Sequence, residues 1–154
     1  MTYDRLLMEA DSLNLVVKEK DLQAYDGRIR GSRIAIRRSI PTTRQKACVL
    51  AEELGHYYTT SGDIMDGSDV SGKQELRARK WAYDMQVGFD GLIRAKEAGC
   101  SALFDTAEFL GVTEEFLQEC LICYREKYGE CIEYRGYMIT FDPCIDVRRV
   151  DDEK

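Results

Sequence analysis

Val49-Leu50-Ala51-Glu52-Glu53-Leu54-Gly55-His56-Tyr57-Tyr58 contains the only histidine of this 154-residue chain. On a helix, Glu52 and His56 stand at i and i+4, one above the other on the same face. Glu53 sits about 100° around the axis from Glu52, at the edge of the spot they share. Two ligand atoms aimed at one point with a second carboxylate beside them is the geometry of H-E-x-x-H, in which two His bind zinc and the Glu is general base. Here Glu52 takes the position of the first His. Taken alone, E-E-x-x-H is also what a solvated, charged helix face looks like, so the surrounding chain has to decide.

Upstream, Ser39-Ile40-Pro41 ends a run of strands, and Thr42-Thr43-Arg44-Gln45 offers a T-x-x-Q capping box with Thr42 as N-cap. The helix that follows carries Ala47, Leu50, Ala51, Leu54 and Tyr58 as a core-facing stripe. Glu52 and His56 project from the other side, flanked by Cys48 and Val49, so that side is expected to be covered as the wall of a cleft. The sole His therefore lies away from the apolar stripe. Downstream, Thr60 to Gly72 reads as a loop rich in Gly, Ser and Asp. A second helix starts near Gln74, with Leu76, Trp81, Ala82, Met85 and Val87 as its apolar positions. Glu75 falls in its first turn.

The rest of the chain frames these two helices. Thr2 to Leu13 has apolar residues at helical spacing, and Leu15-Val16-Val17 reads as a short strand. After Tyr25-Asp26-Gly27 the pattern alternates. Ile29 faces away from Arg28 and Arg30, and Ile34 and Ile36 face away from Arg33, Ala35 and Arg37. Arg30-Gly31-Ser32 is a hairpin turn between these runs, which gives a short antiparallel sheet. Gly88 and Gly91 interrupt the second helix before Leu92 to Ala98 resumes it. Two more helices, Ala102–Leu110 and Thr113–Tyr128, are joined by Gly111-Val112. Ile132-Glu133-Tyr134 and Tyr137–Phe141 form a hairpin about Arg135-Gly136, and 151–154 is a frayed tail. The fold class is α+β, with a core over residues 1–98 and a helical module with its hairpin over 99–154.

A composition of 44% hydrophobic and 32% charged residues is that of a globular chain able to bury a core. A net charge of −6 argues against a broad nucleic-acid footprint. The basic residues Arg28, Arg30, Arg33, Arg37 and Arg38 read first as the solvated face of strands. No apolar run has the length of a membrane span and the N-terminus has no signal-peptide core, so a cytoplasmic protein is expected. Its six cysteines are then free thiols.

Three segments together resemble a known family. Leu50-Ala51-Glu52-Glu53-Leu54-Gly55-His56-Tyr57 is similar to the L-A-H-E-L-G-H-Y segment of the ImmA/IrrE metallopeptidases of bacteria and phages. Glu75-Leu76-Arg77-Ala78-Arg79-Lys80-Trp81-Ala82 resembles that family's E-x-x-A-N-x-F-A helix. Phe109-Leu110-Gly111-Val112-Thr113 is similar to the turn that follows. The resemblance spans roughly residues 1 to 128 and implies a small gluzincin-like fold. It implies His56 and Glu75 as zinc ligands and Glu53 as general base. It further implies a protein substrate or partner, a helix-turn-helix repressor of a mobile element or stress regulon, which would make this chain an anti-repressor. The departure is Glu52. A carboxylate can bind zinc, so Glu52, His56 and Glu75 remain a possible three-ligand set. Two anionic ligands would weaken the ion's pull on water, slowing hydrolysis or favouring a harder metal. The other reading is a pseudo-peptidase that has lost its metal and keeps the fold and the partner surface.

Other candidates rank lower. Cys120-Leu121-Ile122-Cys123 is C-x-x-C inside a helix with no second pair and reads as two small buried residues. Residues 107–124 mimic a helix-turn-helix, yet Glu114, Glu115 and Glu119 stand where a DNA reader needs donors, so direct nucleic-acid binding is not expected there. Tyr57 and Tyr58 are read as packing residues rather than oxyanion donors. Asp63, Asp66 and Asp69 lack calcium-loop spacing and read as a solvated loop.

Overall fold

A computed structural model of the chain describes residues 1–60 and 72–153. Most of the expected loop, with Asp63, Asp66 and Asp69, lies outside the described residues. The chain divides into two compact units, Met1–Met85 and Gln86–Lys154. The division falls before the helix over 88–97, whereas the sequence reading draws its line at 98, after that helix. The class is α+β.

In the first unit, α1 (Tyr3–Ser12) begins at Thr2, whose hydroxyl accepts from the Arg5 N–H, and buries Leu6 and Ala10. Three strands follow: β1 (Val16–Lys20), β2 (Gly27–Arg30) and β3 (Arg33–Arg37). Their order is β1-β3-β2. The expected antiparallel sheet is corrected here. β2 and β3 do form an antiparallel hairpin, but β1 runs parallel to β3. The cause is the segment 21–26, which carries the chain past the site of β3 instead of turning back beside β1. Arg37 holds that segment by donating to Tyr25 O at 3.1 Å and Gln23 O at 3.2 Å. β1 is also longer than Leu15-Val16-Val17 suggested, because Lys18, Glu19 and Lys20 continue the pairing with Ala35, Ile36 and Arg37.

Ile34 and Ile36 are buried on the inner face of the sheet, against α2 (Thr43–Thr59). The capping box forms as predicted. Thr42 Oγ1 accepts from Gln45 N at 3.1 Å, and Thr42 N donates to Gln45 Oε1 at 3.2 Å. Ala47, Leu50, Ala51 and Leu54 are the buried stripe. Tyr58 is not in it: the ring is 42% exposed, lying on Trp81 instead. On α3 (Gly72–Gln86), Leu76 is likewise exposed, and Ala78 and Ala82 take the buried positions. The backbones of α2 and α3 approach closely at Gly55, which faces the backbone of Ala78.

In the second unit, Gly88 breaks the helical run with φ +61°, and α4 (Gly88–Glu97) restarts there. Gly91 does not interrupt: it lies inside α4 facing Leu110, where a Cβ would stand 3.2 Å from Leu110 Cδ2. α5 (Leu103–Leu110) ends on left-handed Gly111, and α6 (Glu114–Tyr128) is capped by Thr113. Phe89 gathers Tyr124, Tyr128, Tyr134 and Phe141 around its ring at centroid distances of 5.1–6.0 Å. The C-terminal hairpin β4 (Cys131–Tyr134) and β5 (Tyr137–Thr140) gains a third strand, β6 (Asp146–Arg149). β6 has a single buried apolar residue, Val147, so alternation could not announce it. The expected frayed tail is instead a 3₁₀ turn over Val150–Glu153. Among the described residues, no helix is long and apolar enough to cross a membrane.

Candidate active site

The stretch 49–58 is helical throughout, so Glu52 and His56 do share a face. Glu53 points the other way from solvent, toward β2, and is 9% exposed. Room for it exists because residue 27 is glycine. A Cβ there would stand 2.6 Å from Val49 Cγ1 and 3.1 Å from Glu53 Oε1. Burial, then the charges of Glu52 and Glu75, push the Glu53 carboxyl up to about 8. The expected base is therefore the most enclosed acid of the group, not a residue at its edge.

His56 lies in the last turn of α2 and Glu75 in the first turn of α3. His56 Nε2 and Glu75 Oε2 are 3.4 Å apart, with side-chain exposures of 14% and 46%. Gly55 makes this meeting possible. A Cβ on Gly55 would overlap the carbonyl oxygen of Ala78 and stand 2.9 Å from its carbon. Glu75, Ala78 and Ala82 recur at i, i+3 and i+7, so one face of α3 carries both the contact and the acid. The two helix ends suit their residues: the negative C-terminal end of α2 favours a cation or dipolar donor, and the positive N-terminal end of α3 favours a carboxylate.

Glu52 is half-buried, one turn before His56 on α2, and near enough to act on Glu53. The structure thus brings Glu53, Glu52, His56 and Glu75 to one region where α2, α3 and β2 meet. Among the described residues, no three His, Cys, Asp or Glu side chains form a group that could hold a metal ion. Of the four, His56 and Glu75 are the pair in direct contact. The donor chemistry fits a dication nonetheless. Carboxylate oxygens and one imidazole nitrogen are zinc donors, and the charges of Glu52 and Glu75 add to burial in holding Glu53 protonated, a part of the cost that a cation would relieve.

A second feature was not legible in the sequence. Tyr58 stacks on Trp81 at 4.6 Å with the planes 20° apart, and its hydroxyl donates to Glu9 Oε1 at 2.9 Å. This links α1, α2 and α3 beside the site. Burial and the bond to Glu9 push the Tyr58 hydroxyl up to about 12. Tyr57 packs edge-on against Tyr58 at 5.3 Å. Both tyrosines pack, in line with the sequence reading. The adjacent-tyrosine pair was visible; the Glu9 partner, 49 positions away, carried no signal.

Cys120 is fully buried, while Cys123 is only half-buried. Glu114, Glu115 and Glu119 are exposed on α6. None of the six cysteines is in a disulfide. Comparison with known proteins adds nothing to the geometry: no protein-family model, no curated protein and no solved structure matches this chain.

Proposed function

We propose that this chain is a zinc-dependent endopeptidase of the ImmA/IrrE type, acting in the cytoplasm on a helix-turn-helix repressor. Glu52, His56 and Glu75 would hold the ion, and Glu53 is the general base. The carrying observation is the enclosed Glu53 carboxyl between two other acids, with His56 and Glu75 already 3.4 Å apart beside it. When bound, zinc supplies Lewis-acid polarisation of a carbonyl and a water of lowered pKa. Glu53 takes the proton of the attacking water and returns it to the leaving amine. A carboxyl raised toward neutrality is suited to both halves of that task, since it gains and loses its proton near the working pH.

The test is co-expression with a candidate helix-turn-helix repressor, comparing the native chain with Glu53→Gln. Cleavage should be lost in the variant by at least two orders of magnitude, with zinc content unchanged. Cleavage at the native rate by Glu53→Gln would end this reading. Glu52 in place of His favours a second one, a non-catalytic protein that holds a regulator on the same scaffold. Its signature is partner binding that survives both chelation and Glu53→Gln.

A further inference from the structure

Sheet register sorts the charges of the first unit by face. Ala35 of β3 pairs with Lys18 of β1 and Arg28 of β2, and Arg33 pairs with Val16 and Arg30. Lys20 pairs with Arg37. Paired residues share a face. The face opposite Ile34 and Ile36 therefore carries Lys18, Lys20, Arg28, Arg30, Arg33 and Arg37, with only Val16 and Ala35 besides and no acid among the strand positions. Glu19 projects to the other face, where it is paired with Lys46 of α2. In a chain of net charge −6 this is a segregation of charge. Five of the six are exposed; Arg37 is the exception, tied to Asp26 at 3.5 Å and to the 23–25 backbone. Positions i and i+2 lie about 6.7 Å apart and neighbouring strands about 4.8 Å, so the patch measures roughly 10 by 13 Å.

We infer that this sheet face binds the backbone of single-stranded nucleic acid. A protein partner would need an apolar centre in its footprint, and Val16 and Ala35 do not make one; a phosphodiester chain needs none. Four of the six cations are arginines, whose planar forks pair with phosphate and stack on bases. An aromatic stands at the rim as well. Tyr25 is half exposed, the Arg28 guanidinium lies 5.2 Å over its ring, and Arg37 grips its carbonyl oxygen. A basic strip with an aromatic stacking platform is how single strands are held without sequence preference. This inference is independent of the peptidase reading, because the face is the one turned away from α2.

The experiment is fluorescence anisotropy of the full chain with a labelled single-stranded 16-mer, from about 20 to 200 mM salt. With three to five phosphates neutralised, log K should fall against log salt with a slope of about −2 to −3.5. The triple variant Arg28→Glu, Arg30→Glu, Arg33→Glu should weaken binding at least tenfold at the lowest salt, and Tyr25→Ala by several fold. Arg94→Glu with Lys96→Glu, exposed on α4, should leave it unchanged. Circular dichroism of each variant shows that the fold is kept. No binding at 20 mM salt, or equal binding by the triple variant, overturns the inference. Tighter binding to a duplex, to poly-glutamate or to phosphatidylserine vesicles than to the single strand overturns it too.

Discussion

His56 Nε2 lies 3.4 Å from Glu75 Oε2 because the residue before His56 is a glycine, which lets α2 meet the backbone of Ala78 one turn after Glu75. The two ligand candidates thus belong to one packing contact. If they also belong to one metal site with Glu52, the native chain should bind about one equivalent of zinc, and His56→Ala, Glu75→Ala and Glu52→Ala should each lose it. Elemental analysis after dialysis reads this directly. Zinc retained by Glu52→Ala would remove that residue from the ligand set and leave His56 and Glu75 as the site.

The same contact makes Gly55 a test of the architecture. Gly55→Ala forces a methyl onto the Ala78 carbonyl. Neither helix backbone can yield locally, so α3 must move away from α2. Overpacking of this kind costs about 1–3 kcal/mol, to be read from the urea midpoint. The displacement should also lower zinc affinity, although no ligand has been changed. Native stability in Gly55→Ala would mean that the α2–α3 contact is looser than the structure shows.

Glu53 gives stability a pH dependence of definite sign. Its carboxyl is raised from 4.5 to about 8 in the fold, so between those limits the folded state binds more protons than the unfolded one. Stability is therefore fully present below about pH 4.5 and is lost as the pH rises through about 8. Glu53→Gln stays neutral and escapes this loss. In chelator the variant should match the native chain near pH 4.5 and exceed it near pH 8.5 by on the order of a few kcal/mol. Urea melts at the two pH values decide it. An equal gap at both would mean that ionisation of Glu53 is not what separates them.

Much of the site could be read before the fold was known, and the reasons for what could not be read are physical. E-E-x-x-H needs only the helical period to place Glu52 and His56 together, and the Thr42–Gln45 box marks where that period starts. The enclosure of Glu53 carries no sequence signal, because it depends on Gly27, a residue in another element whose missing side chain leaves no pattern. Leu76 is an apolar position of its helix by sequence, yet it is exposed while Ala78, Ala82 and Tyr83 are buried, since which face turns inward depends on the α2–α3 approach at Gly55. The parallel pairing of β1 was hidden because it rests on the path of 21–26, which Arg37 holds by backbone carbonyls rather than by any motif. In the outer face of that sheet, the arginines were visible as a local strip. Their alignment with Lys18 and Lys20 required the register.

The Tyr58–Trp81 stack supplies a reporter for the site, since Trp81 is the only tryptophan in the chain. Tyr58→Ala uncovers one face of the indole, so its emission should shift to the red, whereas Tyr58→Phe keeps the ring and should leave the emission nearly unchanged. Tyr58→Phe loses only the bond to Glu9, and because the tyrosine is exposed the cost should stay below about 1 kcal/mol. The hydroxyl itself is raised from 10.0 to about 12. In the folded chain Tyr58 should accordingly ionise after an ordinary tyrosine, and the stability it contributes is present below pH 10 and fades as the pH rises toward 12. Difference absorbance of the native chain against Tyr58→Phe follows that single ionisation. A midpoint near 10 would show that the Glu9 bond is not formed in solution, and would detach α1 from the support of the site.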